Sequence, residues 1–182
     1  MAVESRVLEI LRARGLFKIA TEDHKQQLEH LRATCPIGPR GGRAPALREE
    51  EKTSRVLREL GPEAAFADLI SKFSYAAERW LQMTDPDVTG AFPYVRYVCT
   101  RLPDSRSSHI EKSSLVFPLA HLFWDIWLPP NGLGCICTVS SESETSLQRD
   151  GRHVSDNRRF EFPVPDNGFD FNIGKLVARD LR

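Results

Sequence analysis

The segment DSRSSHIEKSSLVFPLAHLFWDIWLPPNGLGCICTV, residues 104–139, decides the fold that the sequence predicts. It contains two of the chain's three tryptophans, two of its four cysteines and two of its five histidines. A Pro-Pro-Asn-Gly turn at residues 129–132 leads directly into Cys135-Ile136-Cys137. Because the prolines fix φ and an Asn-Gly pair tolerates positive φ, the chain is predicted to reverse sharply and to present both thiols after a rigid turn.

Four side chains in this segment are of the types that bind metals: His109, His121, Cys135 and Cys137. Thiolate and imidazole suit tetrahedral zinc, so these side chains are candidate ligands of a structural zinc site, with His109, Cys135 and Cys137 as the first ligands. The Cys-x-Cys spacing is tighter than the usual Cys-x-x-Cys pair. The alternative is that the cysteines are small buried side chains on a strand and that His109 is a core or capping residue.

Asp104 and Arg106 both precede His109 closely enough to suggest an acid that orients a histidine base. The nearby serines lack a nucleophile-elbow motif, however, and the segment has no glycine-rich phosphate loop. The favoured interpretation is that Asp104 caps a helix and that Arg106 forms a buried ion pair. Trp124 and Trp127 are predicted to be core residues, and catalysis is not the favoured function.

Composition narrows the classes of function. The 182 residues include 25 basic and 25 acidic side chains, so no net field attracts nucleic acid or a membrane surface. No apolar run is long enough to span a bilayer, and the N-terminal residues lack the apolar region of a signal peptide. The cysteine spacing does not form a disulfide framework, which predicts a cytosolic protein with reduced thiols.

The sequence of the N-terminal residues predicts two helices followed by a linker. Apolar spacing indicates two helices between residues 3 and 33, separated near Gly15. Residues 35–45 are rich in Pro and Gly and are predicted to form a linker, either a solvated loop or an arginine-bearing arm that touches phosphate or an acidic protein surface. The chain is thus divided into an extension and linker at 1–45 and a domain at 46–182.

The remaining residues predict an α+β domain. A helix from Pro62 to about Gln82 has an apolar face that is expected to pack on a sheet. The other predicted elements are a turn at 85–90, strands at 93–102, 115–117, 135–139 and 160–164, helices at 105–112 and from the Ser141/Glu144 capping box to Gly151, and a closing loop at 168–174. Together they predict a small, mostly antiparallel sheet with packed helices and a helical N-terminal extension.

Several of these motifs resemble, in order and spacing, the phage Mu F-like head-morphogenesis family, whose members are minor head proteins. The resemblance extends over roughly residues 66–174. It rests on Tyr75-Ala-Ala-x-Arg79-Trp80, Pro93-Tyr94-x-x-Tyr97, Asp104-Ser-Arg106, His109, Val116-Phe-Pro118, His121, Phe123-Trp-Asp125, Pro129-Pro-Asn-Gly132, Cys135-x-Cys137-x-Val139 and Gly168-Phe-Asp-Phe-Asn-x-Gly174.

This chain departs from the family pattern at three positions. Ser114 stands where the pattern has glycine, Ile136 where it has arginine and Ile173 where it has proline. These departures indicate a diverged copy from a prophage.

The resemblance implies a minor head protein of a tailed phage or prophage, located in the bacterial cytoplasm during assembly and then in the phage head. Its expected partners are the portal, scaffold and major capsid proteins, with no membrane and at most indirect contact with nucleic acid. The alternatives are a metal-dependent hydrolase or a toxin-type transferase that uses the His/Cys site, and an inactive prophage remnant.

Overall fold

The computed structural model describes residues 3–16, 55–56, 59–100, 105–156, 164–166 and 168–180. In this part of the chain, helices and one small antiparallel sheet confirm the predicted α+β class. The helices are α1 (Val3–Ala13), α2 (Pro62–Met83), α3 (Pro86–Thr89), α4 (Ser107–Lys112), α5 (Phe123–Ile126), α6 (Glu144–Arg149) and α7 (Ile173–Asp180). The strands are β1 (Tyr94–Val98), β2 (Val116–Pro118) and β3 (Thr138–Glu142).

The sheet has the order β2-β1-β3, and both strand pairs are antiparallel. Val95 of β1 lies opposite Phe117 on one side and Ser141 on the other. Alternate residues of β1 point into the core, and Val95, Tyr97 and Cys99 are buried as the period-two pattern predicts. The strand ends at Val98, earlier than predicted.

Helix α2 begins where the sequence predicts. Gly61 has a φ of 80°, a left-handed conformation that suits glycine, and Pro62 occupies the first turn. The predicted packing of this helix was wrong, because its main neighbours are α1 and α7 rather than the sheet. Its buried residues include Phe66, Leu69, Phe73, Ala76, Ala77 and Trp80.

Helix α7 was not predicted, since residues 168–174 were interpreted as a closing loop. The Asn172 side chain accepts a hydrogen bond of 2.9 Å from the backbone N–H of Lys175, which caps the helix N-terminus. A Cβ at Gly174 would lie 2.2 Å from Trp80 Cβ. Glycine is therefore needed for α7 to approach α2 this closely.

Helix α1 also contributes to the core. Val7, Ile10 and Leu11 are buried, and α1 packs on α2 and α7. Arg6 forms an ion pair of 2.7 Å with Asp180 of α7. The predicted second N-terminal helix, the linker at 35–45 and Cys35 lie outside the described residues, so the division at residue 45 stays a prediction.

Several local predictions need correction. Residues 86–89 form α3 instead of a simple turn, because Asp85 accepts a hydrogen bond from Asp87 N–H and caps them. The capping box of α6 is formed by Ser143 and Ser146, whereas Ser141 belongs to β3. Helix α6 ends at Arg149, ahead of Gly151.

The segments on either side of the predicted metal ligands also differ from expectation. Helix α4 begins at Ser107, and the residue before it, Arg106, makes no side-chain cap; Asp104 lies outside the described residues. Cys135 and Cys137 precede β3 and are not part of it. Of the strand predicted at 160–164, only Val164 is described, and it has no regular structure.

Ser114 has a φ of 73°, a conformation that favours glycine, and glycine is the residue that the family pattern has there. We expect Ser114→Gly to raise the free energy of unfolding by about 0.5–1 kcal/mol, because the side-chain clash of the left-handed conformation disappears. Urea denaturation measures the change. Ser113→Gly is the control, since Ser113 has a φ of −57° and should gain nothing. A loss of stability in Ser114→Gly would contradict the assignment of strain.

Candidate metal centre

His109 is positioned by helix α4, which presents it to the interior. The side chain is buried, and its ring lies perpendicular to that of Trp127, with 5.9 Å between the ring centroids. Trp127 in turn packs against Tyr97 of β1 and Phe123 of α5. The imidazole is therefore held by the aromatic core, to which Trp127 was predicted to belong.

The turn before the cysteines is fixed by Asn131, which is fully buried. Its Nδ2 donates a hydrogen bond of 3.3 Å to Leu128 O, and its Oδ1 accepts one of 2.9 Å from the hydroxyl of Tyr97. The Pro129–Pro130 peptide bond is cis. The hydrogen bond between Asn131 and Tyr97 attaches this turn to the central strand β1, as a rigid support for the thiols requires.

Sequence reasoning treated Asn131 and Gly132 only as residues that tolerate positive φ, yet neither has a positive φ, and the nearest positive φ, 67°, is at Gly134, two residues after the turn. Gly132 is needed for a different reason: it leaves space for the Asp166 carboxylate, because a Cβ at this position would lie 2.2 Å from Asp166 Oδ2. Asp166 forms an ion pair of 2.7 Å with Arg106, whose side chain is 1% exposed. The buried ion pair predicted for Arg106 thus exists, with a partner that the sequence did not identify.

Three of the four predicted ligands lie together. The Sγ atoms of Cys135 and Cys137 are each 3.6 Å from His109 Nδ1. The three donor atoms all lie within 4.8 Å of one another. In a tetrahedral zinc site with bonds of about 2.3 Å to sulfur and 2.0 Å to nitrogen, nitrogen and sulfur are about 3.5 Å apart. The cluster could therefore hold a metal ion, and its donors match zinc.

His121 does not join this cluster. Its ring stacks on Phe117 with 4.3 Å between centroids, and its Nδ1 accepts a hydrogen bond of 3.0 Å from Phe123 N–H. Cys99 is buried, as predicted, but it follows the end of β1 and is not in the cluster. Within the described part of the chain, the cluster consists of His109, Cys135 and Cys137 alone.

The two thiols differ strongly in acidity. The hydrogen bond from Cys137 lowers the pKa of Cys135 well below its usual value, and the hydrogen bond from His109 acts in the same direction against the effect of burial. The hydrogen bond to Cys135 and burial raise the pKa of Cys137. A metal ion stabilises both thiolates, since a coordinating thiol is deprotonated.

The second ring nitrogen of His109, Nε2, is buried and has no hydrogen-bond partner in the described residues. Histidines that bind metals usually donate their other N–H to an acceptor, which fixes the tautomer. Here the perpendicular contact with Trp127 and the burial of the ring fix its orientation instead.

Comparisons with known proteins indicate the class of protein. No protein-family model matches the chain, and no solved structure matches it. Curated proteins do match: one is named for capsid assembly, and both are named as the F protein of phage Mu or of a Mu-like prophage. These matches support a relationship to the Mu F-like proteins.

One relative, from Escherichia phage Mu, is named "Putative capsid assembly protein F"; it has 30% identity over 114 residues, which is 62% of this chain and 26% of the relative. Another is the Mu-like prophage FluMu F protein of Haemophilus influenzae, with 30% identity over 82 residues, 45% of this chain and 19% of the relative. The matches thus span about a quarter or less of the curated relatives. Within the described residues, none of the helices has the length and apolar content needed to cross a bilayer.

Proposed function

We propose that this chain is a minor head protein of a tailed phage or prophage, which binds portal, scaffold and major capsid proteins during procapsid assembly. The observation that carries the proposal is the 30% identity to capsid assembly protein F of phage Mu over 114 residues. The chain would act in the bacterial cytoplasm during assembly and remain in the phage head.

In this proposal, the metal centre is structural. Zinc held by His109, Cys135 and Cys137 would connect α4 to the segment before β3. Structural zinc sites contribute folding free energy, because the unfolded chain has no preformed site. The burial of His109 and Cys135 and the hydrogen bonds of Asn131 support this role, since they hold the donors in a fixed arrangement.

A metal-dependent hydrolase is the second candidate, and one observation favours it. Catalytic zinc sites keep three protein ligands and an open fourth position, and the described residues supply three donors. Hydrolysis of an activated ester by the zinc-loaded chain, lost in Cys137→Ser, would support this candidate. A rate equal in both proteins would contradict it. No observation on the described residues favours a toxin-type transferase.

The assembly role is tested by binding to the portal, scaffold and major capsid proteins encoded in the same genome. We expect the immobilised chain to retain at least one of them with a Kd in the micromolar range, about −8 kcal/mol, and to enter procapsids when the proteins are produced together. An excess of free chain should displace the bound partner, which controls for nonspecific retention. If none of these proteins is retained and purified procapsids lack the chain, the proposal is wrong.

A further inference from the structure

A cleft of about 450 Å³ lies beside the metal centre. One wall is α2, with Tyr75 and Arg79, and the other is the segment from Leu128 to Val139, which includes both cysteines of the centre. Tyr75 is 59% exposed and Ile136 is 42% exposed, so the cleft is accessible from solvent. Its volume accommodates a small group next to the sulfur atoms.

The centre has three donors, whereas zinc is almost always four-coordinate in structural sites. His121, the fourth candidate from the sequence, is held by its contacts with Phe117 and Phe123. Among the described residues, no further His, Cys, Asp or Glu joins the group. The cysteines line the cleft, so a ligand that enters the cleft from solvent lies next to two of the three donors.

The cleft contains two cations, which differ in their partners. Lys72 forms an ion pair of 2.6 Å with Asp68. Arg79 donates hydrogen bonds to two neutral groups, Gln82 Oε1 at 2.7 Å and Ser141 Oγ at 3.3 Å. Within the described ranges, no ion pair neutralises Arg79. A guanidinium group with uncompensated charge favours an anion, and its planar array of donors matches a carboxylate.

The charge on the metal centre is compatible with an anionic ligand if a cation lies nearby. Zinc with two thiolates and a neutral imidazole has no net charge, so an added anion gives the centre one negative charge. Arg79 lines the same cleft and would compensate that charge. A hard oxygen ligand is compatible with zinc, which binds carboxylate oxygen at about 2.0–2.2 Å.

We propose that the cleft between α2 and the cysteine segment admits a carboxylate, which displaces water from the fourth position of the metal and is held by Arg79. The exchange is a ligand substitution: a carboxylate oxygen donates its lone pair to the metal and one water molecule leaves. This inference rests on the proposed metal centre. It is independent of whether the chain binds head proteins.

Cobalt(II) is the probe for the test, because its visible spectrum reports the ligands of a tetrahedral site. The full chain is loaded with one equivalent of cobalt and titrated with acetate. We expect the visible bands to shift with a saturable dependence on acetate, and Arg79→Ala to require about tenfold more acetate, equivalent to 1.4 kcal/mol. Arg149→Ala is the matched control, since Arg149 is exposed on α6 and paired with Asp150. It should behave as the unmodified chain does.

The outcomes separate the two proposals. Failure to bind cobalt would overturn the metal centre itself. Two results would overturn the carboxylate site and leave the metal centre intact. In one, cobalt binds but acetate does not change its visible bands; in the other, the unmodified chain and Arg79→Ala respond equally to acetate. A tighter response to inorganic phosphate than to acetate would overturn the assignment of the ligand as a carboxylate.

Discussion

Replacement of Cys135 by serine is expected to lower the free energy of unfolding of the zinc-loaded chain by several kcal/mol, about 3 kcal/mol or more. The Cys135 sulfur is buried and lies 3.6 Å from His109 Nδ1, so serine removes one of the three donors of the proposed zinc site. Urea denaturation with and without a chelator measures the effect, and metal analysis measures the zinc content. The unmodified chain should hold one zinc and become less stable with chelator.

The control for this substitution is Cys99→Ser, which changes a buried thiol outside the cluster. It should retain zinc and respond to the chelator as the unmodified chain does. Zinc affinity should also increase with pH, because Cys137, whose pKa is raised by its hydrogen bond to Cys135 and by burial, must lose its proton on binding. An unmodified chain whose stability is the same with and without chelator would contradict a structural zinc.

Replacement of Asp166 by asparagine is expected to lower the free energy of unfolding by about 3 kcal/mol, because it removes the carboxylate that neutralises a buried cation. The side chains of Arg106 and Asp166 are 1% and 17% exposed, and Arg106 also donates to Leu133 O in the turn that precedes the cysteines. We therefore expect the substitution also to disorder the backbone around Leu133. Urea denaturation measures the stability, and zinc affinity reports the state of the turn.

Asp170→Asn is the matched control, since Asp170 is exposed in the same part of the chain. A change within about 0.5 kcal/mol is expected for such a surface substitution. The double variant Arg106→Met with Asp166→Leu should recover stability relative to Asp166→Asn, because it removes both charges together. If Asp166→Asn is as stable as Asp170→Asn, the ion pair does not stabilise this turn.

Local sequence patterns predicted those elements whose conformation depends mainly on residues close together in the sequence. Helix α2 follows from Pro62 and a repeating apolar face, and the buried face of β1 follows from strict alternation. The short cysteine segment was wrongly assigned to a strand. Alternation over only three residues cannot distinguish a strand from the loop that precedes it. Its junction with β3 is set by pairing with β1, which is a tertiary property.

The missed features depend on residues far apart in sequence. Helix α7 packs on α2 through Gly174 and Trp80, and no local pattern shows that contact. In the same way, Asp166 could not be identified as the partner of Arg106 from its position in a loop. His121 was grouped with the other ligands because it is near them in sequence. The structure separates it from them by directing its ring onto Phe117.

The contact of Gly174 with Trp80 also bears on how the chain matures during translation. A ribosome completes α2 long before it produces α7, so the apolar surface around Trp80 is exposed to water on the nascent polypeptide. Exposed surface of this kind promotes aggregation and recruits chaperones. Synthesis of α7, more than synthesis of the central sheet, should therefore mark the point at which the region around Trp80 becomes resistant to proteolysis.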